Sequence, residues 1–391
     1  MSEATATNNL QKTRSKLRWT TTVFFFISGV VTATWASRIP EMQQKFRLND
    51  AEWGMVLFAM SIGLAAGLSV ASWLVEKFSS PRMMTISGII YLILLCLLAV
   101  SPTVLTLAIT LFLFGVSRNI TNLANNTNSV EVQRLYKKPV LARFHGIWSL
   151  ACLAAAALGT LFINLNIEPF YHFLILAVAS VLLILLFKRR TKRLQAVAPG
   201  RKPFFIKPDR YLFLLGLIAL CGMMCEGVMF DWSVNYYVKV VNPDKAYVTA
   251  GYTAFIITMS AGRFVGDKLI EKLGPVRLLM INGIMITSGF YVVVMFPQVV
   301  AATLGFLLIG AGISIVVPLL FILAGRTDKM PANYAIASVT LIGYIGFLSG
   351  PLVVGSITEA YGMQVAFAVI GLVAAGISII AWYMKKNALV V

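Results

Sequence analysis

The chain has 391 residues, of which 59% are hydrophobic and 12% charged, against about 25% charged in a typical soluble domain. No stretch between Thr20 and Met384 has the mixed polar faces of a water-facing fold, which excludes a soluble protein. Lys and Arg number 33 against 15 Asp and Glu, a net charge of +18, yet the basic residues form short clusters between apolar runs with no aromatic-interleaved groove, so the partner they imply is a bilayer surface and not nucleic acid. The first residues are polar and basic, with Lys12, Arg14, Lys16 and Arg18. Twelve apolar runs follow, at 20–40, 53–75, 83–101, 104–132, 140–164, 169–188, 211–236, 247–270, 277–296, 299–325, 333–358 and 363–384. Each approaches the ~20 residues that a helix needs to cross the hydrocarbon core. The first run resembles a signal peptide in its flanks, but further spans follow at once, so it is read as a retained helix.

Placing both termini in the cytoplasm puts 27 of the 33 Lys and Arg inside. Lys45, Arg47, Lys239 and Lys245 fall outside, and Arg38 and Arg118 fall within spans. The positive-inside rule therefore sets the orientation. The longest interior connection, 189–210, carries Arg189, Arg190, Lys192 and Arg193 with Pro199, Pro203 and Pro208. It divides the chain into a tail (1–19), a first bundle (20–188), a basic linker (189–210), a second bundle (211–384) and a tail (385–391). The expected class is an all-α integral membrane protein of twelve transmembrane helices. Cys96, Cys152, Cys221 and Cys225 all lie in apolar runs, at spacings that fit neither a zinc site nor a disulfide framework.

The two halves repeat. Residues 67–82 align without gaps on 262–277, matching Gly67 with Gly262, Leu74 with Leu269, Glu76-Lys77 with Glu271-Lys272 and Arg82 with Arg277. Trp35 and Gly54 have the same separation as Trp232 and Gly251. Two parallel six-helix repeats are an architecture of secondary transporters, in which cargo binds near the bilayer midplane.

With these features the sequence resembles the major facilitator superfamily (MFS). The second copy looks like its cytoplasmic loop signature, in Gly262, Arg263, Gly266, Asp267, Gly274 and Arg277, while the first has Ser72 where the family usually has Asp. More narrowly it resembles the MosC-like branch, related to fucose-permease-type sugar facilitators. The matching stretches are 35–40, 144–150, 226–233, 317–321 and 343–351. The resemblance implies two pseudo-symmetric six-helix bundles and transport by alternating access. It also implies an inner-side latch from Glu131, Arg134, Arg263, Asp267 and Arg277, against the plainer reading of a solvated turn. Branch relatives often carry Asn and Asp on the fourth span where this chain has Arg118 and Asn122, a departure that suits an anionic or acid-bearing cargo.

An ionisable group at the bilayer centre costs roughly 2.5–3.5 kcal/mol on insertion scales, so each needs a partner or a wet cavity. Arg118 lies near mid-span. It is either a packing ion pair or a substrate anchor whose planar fork suits carboxylates and paired hydroxyls. Arg118, Asn122, Asn125 and Asn126 fall at i, i+4, i+7 and i+8 and share a helix face, which predicts a polar wall. Glu226, midway along the seventh span, is the first candidate for a proton-coupling acid, or else a neutralising partner of Arg118; Asp231 follows about 7.5 Å further out. His145 is a candidate proton carrier or a core hydrogen-bonder. Arg38 is expected to bridge to Asp231 as an outer gate, or to snorkel to headgroups. His172 reads as interfacial. Trp35, Trp148, Tyr236 and Tyr344 are aromatic candidates for the substrate wall, against a default of core or interfacial belt. The glycines and prolines at 343–351 and 310–318 suggest close packing and hinges.

No nucleophile–base pair, metal cluster or phosphate-binding loop accompanies these features, which argues against an enzyme or a nucleotide-driven pump, and no cofactor is expected. The reading is a monomeric symporter of the bacterial inner membrane. Its expected cargo is a sugar, cyclitol or sugar acid, moved by alternating access with protons. The alternatives are proton-antiport efflux of drugs or metabolites and, further off, a non-transporting receptor.

Overall fold

The computed structural model describes residues 3–136, 140–188, 208–327 and 330–387. Among these no strand occurs. The helices are α1 (Glu3–Lys45), α2 (Asp50–Phe78), α3 (Ser80–Val100), α4 (Val104–Gln133), α5 (Leu141–Asn164), α6 (Pro169–Lys188), α7 (Arg210–Tyr236), α8 (Ala250–Leu273), α9 (Pro275–Met295), α10 (Val299–Ile313), α11 (Val316–Ala324), α12 (Ala332–Tyr361) and α13 (Met363–Lys386). Most of the basic linker lies outside the described residues. The N-terminal segment expected as a plain tail is helical from Glu3, because nothing between Glu3 and Trp19 is Pro or Gly and the helix propagates backward from the span.

The helix ends follow local chemistry. Asn49 and Glu52 exchange side-chain and backbone hydrogen bonds (2.8 and 3.0 Å), a capping box that starts α2. Thr103 and Thr106 do the same for α4, and Asp209 accepts from the Leu212 N–H at 2.9 Å to start α7. α7 ends in a π-turn, Tyr237–Val241, closed by left-handed Asn242 at φ 47°. α10 and α11 are two halves of one 26-residue span, interrupted at Ser314–Ile315. Pro318 lacks the N–H that would donate back to the Ser314 carbonyl, which accounts for the interruption.

Eleven segments among the described residues are long and apolar enough to cross a membrane. The twelfth span is α8. Its 24 residues suffice in length, but Arg263, Asp267, Lys268, Glu271 and Lys272 crowd its second half and lower its hydropathy.

By packing, the chain forms two compact units: unit 1 is Met1–Arg38 with Ala59–Gly200, and unit 2 is Ile39–Phe58 with Arg201–Val391. Unit 1 thus lacks the outer tip of its own first hairpin, which packs as part of unit 2. Repeat-matched glycines do the same work in each unit. A Cβ on Gly67 of α2 would lie 2.9 Å from the Asn119 Cβ of α4, and one on Gly262 of α8 would lie 2.6 Å from the Ser314 Cβ that follows α10. Small residues at these crossings let helices approach closely where no hydrophobic effect drives them together.

In unit 2 the most extensive pairing is α12 on α7. Here the glycines serve close packing, and α12 runs unbroken through Pro351. A Cβ on Gly346 would sit 2.8 Å from the Leu220 carbonyl carbon. Gly346→Leu is expected to force these helices apart at a cost of about 1–3 kcal/mol or more. The purified variant should melt several degrees below wild type in detergent; an unchanged melting temperature would show that the crossing can give way freely.

Candidate functional site

Unit 1 presents its polar residues on α4, and the four predicted wall residues do not all point one way. Arg118 is half-buried fourteen residues after Val104, close to the middle of the 30-residue helix. Asn122 is exposed and accepts from the Asn126 amide at 3.0 Å. Asn125 instead turns inward, 1% exposed, and donates to the Phe24 carbonyl of α1 at 3.4 Å. Asn119 likewise donates to Leu64 O of α2 at 2.9 Å, and Asn128 accepts from Thr21 of α1 at 2.7 Å. Spacing alone could not divide these asparagines. One group ties α4 to its neighbours, and the open face keeps Arg118, Asn122 and Asn126.

Beside this face runs an aromatic chain. Trp35 is buried with its ring 6.2 Å from Phe114, whose ring lies 4.4 Å from Tyr91. Tyr91 is within electrostatic reach of Arg118. It sits inside an apolar run, so no sequence signal marked it. The Trp35 Nε1–H and the Asn125 Oδ1 are buried with no hydrogen-bond partner among the described residues. Trp148 is half-buried against the cluster of Leu17, Phe25, Val132, Val140 and Phe144. His145, one turn earlier on α5, is exposed, with its ring 5.2 Å from Phe25.

In unit 2, Glu226 lies sixteen residues into the 27-residue α7, and Asp231 is buried further along the same helix. The Arg263 guanidinium stands 3.7 Å from Glu226 Oε1, with the two side chains 35% and 20% exposed. This corrects the expected depth of Arg263. α8 continues ten residues past it to Leu273, so Arg263 lies about 15 Å inside the helix end. The expectation set Arg263 with Asp267 at the inner end of the 247–270 run, whereas the helix extends to Leu273. The Asp267 side chain lies outside the described residues, and Arg277 is exposed in the first turn of α9. In unit 1, at the C-terminal end of α4, Glu131 accepts from Ser80 Oγ at 3.1 Å and Arg134 is exposed.

Tyr344 lines a cavity of about 150 Å³ together with Ala219, Met223, Leu320, Phe321 and Thr340. Tyr236 belongs to the core and not to an open wall: it is fully buried, donates its hydroxyl to Val293 O at 2.9 Å, and its ring centroid lies 4.2 Å from that of Phe367 at a tilt of 35°.

Two outer-end readings are also corrected. Arg38 is 1% exposed, so it does not snorkel to headgroups. Its Nε donates to His172 Nδ1 at 3.0 Å and its Nη2 to Ile167 O at 2.8 Å. His172 is therefore not interfacial but buried, edge-on to Phe162. A buried guanidinium needs acceptors that an apolar helix surface does not supply, and His172 with a loop carbonyl provides them.

A polar network of unit 2 had no local signature in the sequence. Gln43 donates to Asp50 Oδ1 at 2.8 Å and accepts from Asn235 Nδ2 at 3.0 Å. Lys239 pairs with Asp50, and the Asp50 N–H donates to Glu359 Oε2 at 3.0 Å. These bonds join the first hairpin tip to the C-terminal ends of α7 and α12.

Residues 20–335 match the family model described as Major Facilitator Superfamily. The chain belongs to that superfamily. This MFS protein is accordingly a multi-pass membrane transporter with the twelve-helix fold. It is similar to an uncharacterized MFS-type transporter of Yersinia pestis, with 30% identity over 90% of this chain and 91% of the relative. It is also similar to membrane protein MosC of Rhizobium meliloti, with 28% identity over 89% of this chain and 85% of MosC. Among solved structures, the nucleoside transporter NupG superposes with a TM-score of 0.76 over 95% of this MFS chain and 99% of its own, at 13% identity, a likeness of fold alone.

Proposed function

We propose that this facilitator carries a small hydroxylated or acid-bearing metabolite, of the sugar, cyclitol or sugar-acid type, by alternating access with proton symport. The observation that carries the reading is the half-buried Arg118 at mid-helix, with Asn122 and Asn126 on the same open face of α4. A guanidinium presents a planar five-donor fork, and two amides add both donors and acceptors, a set matched to carboxylate and hydroxyl oxygens. The orphaned Trp35 N–H adds one more donor beside that face. Glu226 is the coupling acid, with Asp231 and His145 as further proton sites, and Arg263 is the counter-charge that its protonation would release. The protein works as a monomer in the bacterial cytoplasmic membrane, and the distribution of Lys and Arg supports placing both termini inside.

The test is a thermal-shift screen of polar metabolites on the purified full chain, followed by uptake of each hit into proteoliposomes with and without an imposed pH gradient. A stabilising sugar or sugar acid whose uptake rises with the inward proton gradient supports the reading. Apolar hits that leave against the gradient would replace it with antiport efflux.

The network of Gln43, Asp50, Asn235, Lys239 and Glu359 supports an outer latch, released when the hairpin tip leaves unit 2. Ser233 on α7 is fully buried and reports on this. In a background without the native cysteines, Ser233→Cys should react slowly with a membrane-impermeant maleimide. Adding Gln43→Leu and Asp50→Asn should speed labelling severalfold, and equal rates would remove the latch.

A further inference from the structure

An apolar groove of unit 1 plays no part in the reading above. It encloses about 550 Å³ along α3, from Arg82 and Met83 to Leu94, with Phe78 of α2 and Val116 of α4 among its walls. Its two serines are already satisfied: Ser87 donates to Met83 O at 2.6 Å, and Ser117 donates to Ser87 O at 3.0 Å. No polar atom inside the groove therefore asks for a polar guest. On α3 the exposed residues Ile86, Ile90, Ile93 and Leu97 recur at helical spacing, a stripe that faces the acyl chains of the bilayer and runs into the groove.

The end of the groove at the α2–α3 turn is different in kind. Lys77 Nζ stands 4.7 Å from the Trp73 ring centroid and 5.4 Å from that of Phe78, and the Arg82 guanidinium stands 5.6 Å from Phe78. Trp73 is 55% exposed, as expected of a ring at headgroup level. Among the described residues neither Lys77 nor Arg82 has an acidic partner. Two cations without counter-charge, held over aromatic rings at the mouth of a dry groove, complement one class of molecule: an anionic head joined to an apolar tail. From Arg82 to Leu94 the groove runs about 18 Å, close to the ~15 Å of one leaflet of a ~30 Å hydrocarbon core.

We propose that this groove seats the acyl chain of an anionic phospholipid of the cytoplasmic leaflet, with its headgroup phosphate held by Lys77 and Arg82. The site is separate from the cargo face of α4, so it stands whatever the cargo proves to be. Because each basic residue near an anionic surface contributes about a fivefold preference, the pair is expected to favour phosphatidylglycerol over phosphatidylcholine of identical chains by about tenfold to thirtyfold.

Native mass spectrometry of the purified full chain, titrated with these two lipids, measures that preference. The double variant Lys77→Gln, Arg82→Gln is expected to bring it close to one. Lys385→Gln with Lys386→Gln, at the same membrane face but away from the groove, should leave it intact. Ile90→Trp fills the groove and should lower retention of both lipids, which separates the acyl seat from headgroup attraction. The proposal fails if wild type retains the two lipids equally, if the double variant keeps the preference, if the Lys385 and Lys386 variant loses it equally, or if Ile90→Trp retains lipid as wild type does.

Discussion

Arg118→Ala is expected to lower cargo affinity by about tenfold to more than a hundredfold while leaving the helix in place. The magnitude follows from the loss of charge-assisted hydrogen bonds, worth about 1.5–3 kcal/mol, at about 1.4 kcal/mol per tenfold. Arg118 is only half-buried, so the fold is expected to hold without it. Arg118→Lys separates charge from shape: the ammonium keeps the positive charge but lacks the planar fork. An acid cargo held by a two-pronged contact should lose most of its affinity in both variants. A cargo held by charge alone should recover in the lysine variant. Binding is read by the ligand-induced shift in melting temperature, and full affinity in Arg118→Ala would remove the anchor.

Glu226→Gln is expected to abolish the dependence of uptake on the pH gradient, with binding retained. The amide cannot take up and release a proton, so the step that the gradient drives disappears. It also removes the charge paired with Arg263, and because that guanidinium is 35% exposed the loss is expected to be small, about 0–1 kcal/mol. The single variant should therefore melt slightly lower than wild type. The double variant Glu226→Gln, Arg263→Gln should regain part of that loss without regaining gradient dependence. Thermal stability thus reports the ion pair, and proteoliposome uptake reports the coupling. Gradient-driven uptake at the native rate in Glu226→Gln would move the coupling to another acid.

The spans, their order and the duplication were legible because each has a signal of its own: apolar runs of bilayer length, cations between them, and the aligned stretches 67–82 and 262–277. What stayed hidden lay in partners distant along the chain. Asn125 and Asn122 carry the same side chain, and only the helix packed beside each separates a tie to Phe24 O from an open amide. Arg263 was read with the latch charges at the inner end of its span, whereas its counter-charge Glu226 lies on another helix. His172 lost its surface position for a similar reason, since nothing near it in sequence announces that Arg38 will reach it. Gln43 and Asn235 are 192 residues apart, and no local pattern encodes such a pairing.

That separation also sets a timetable for synthesis. Gln43 leaves the ribosome 192 residues before Asn235, and Asp50 309 residues before Glu359. At about 5–20 residues per second, Asp50 waits on the order of tens of seconds for its last partner. Closure of the outer tip is thus a late event, completed only after α12 has been translated.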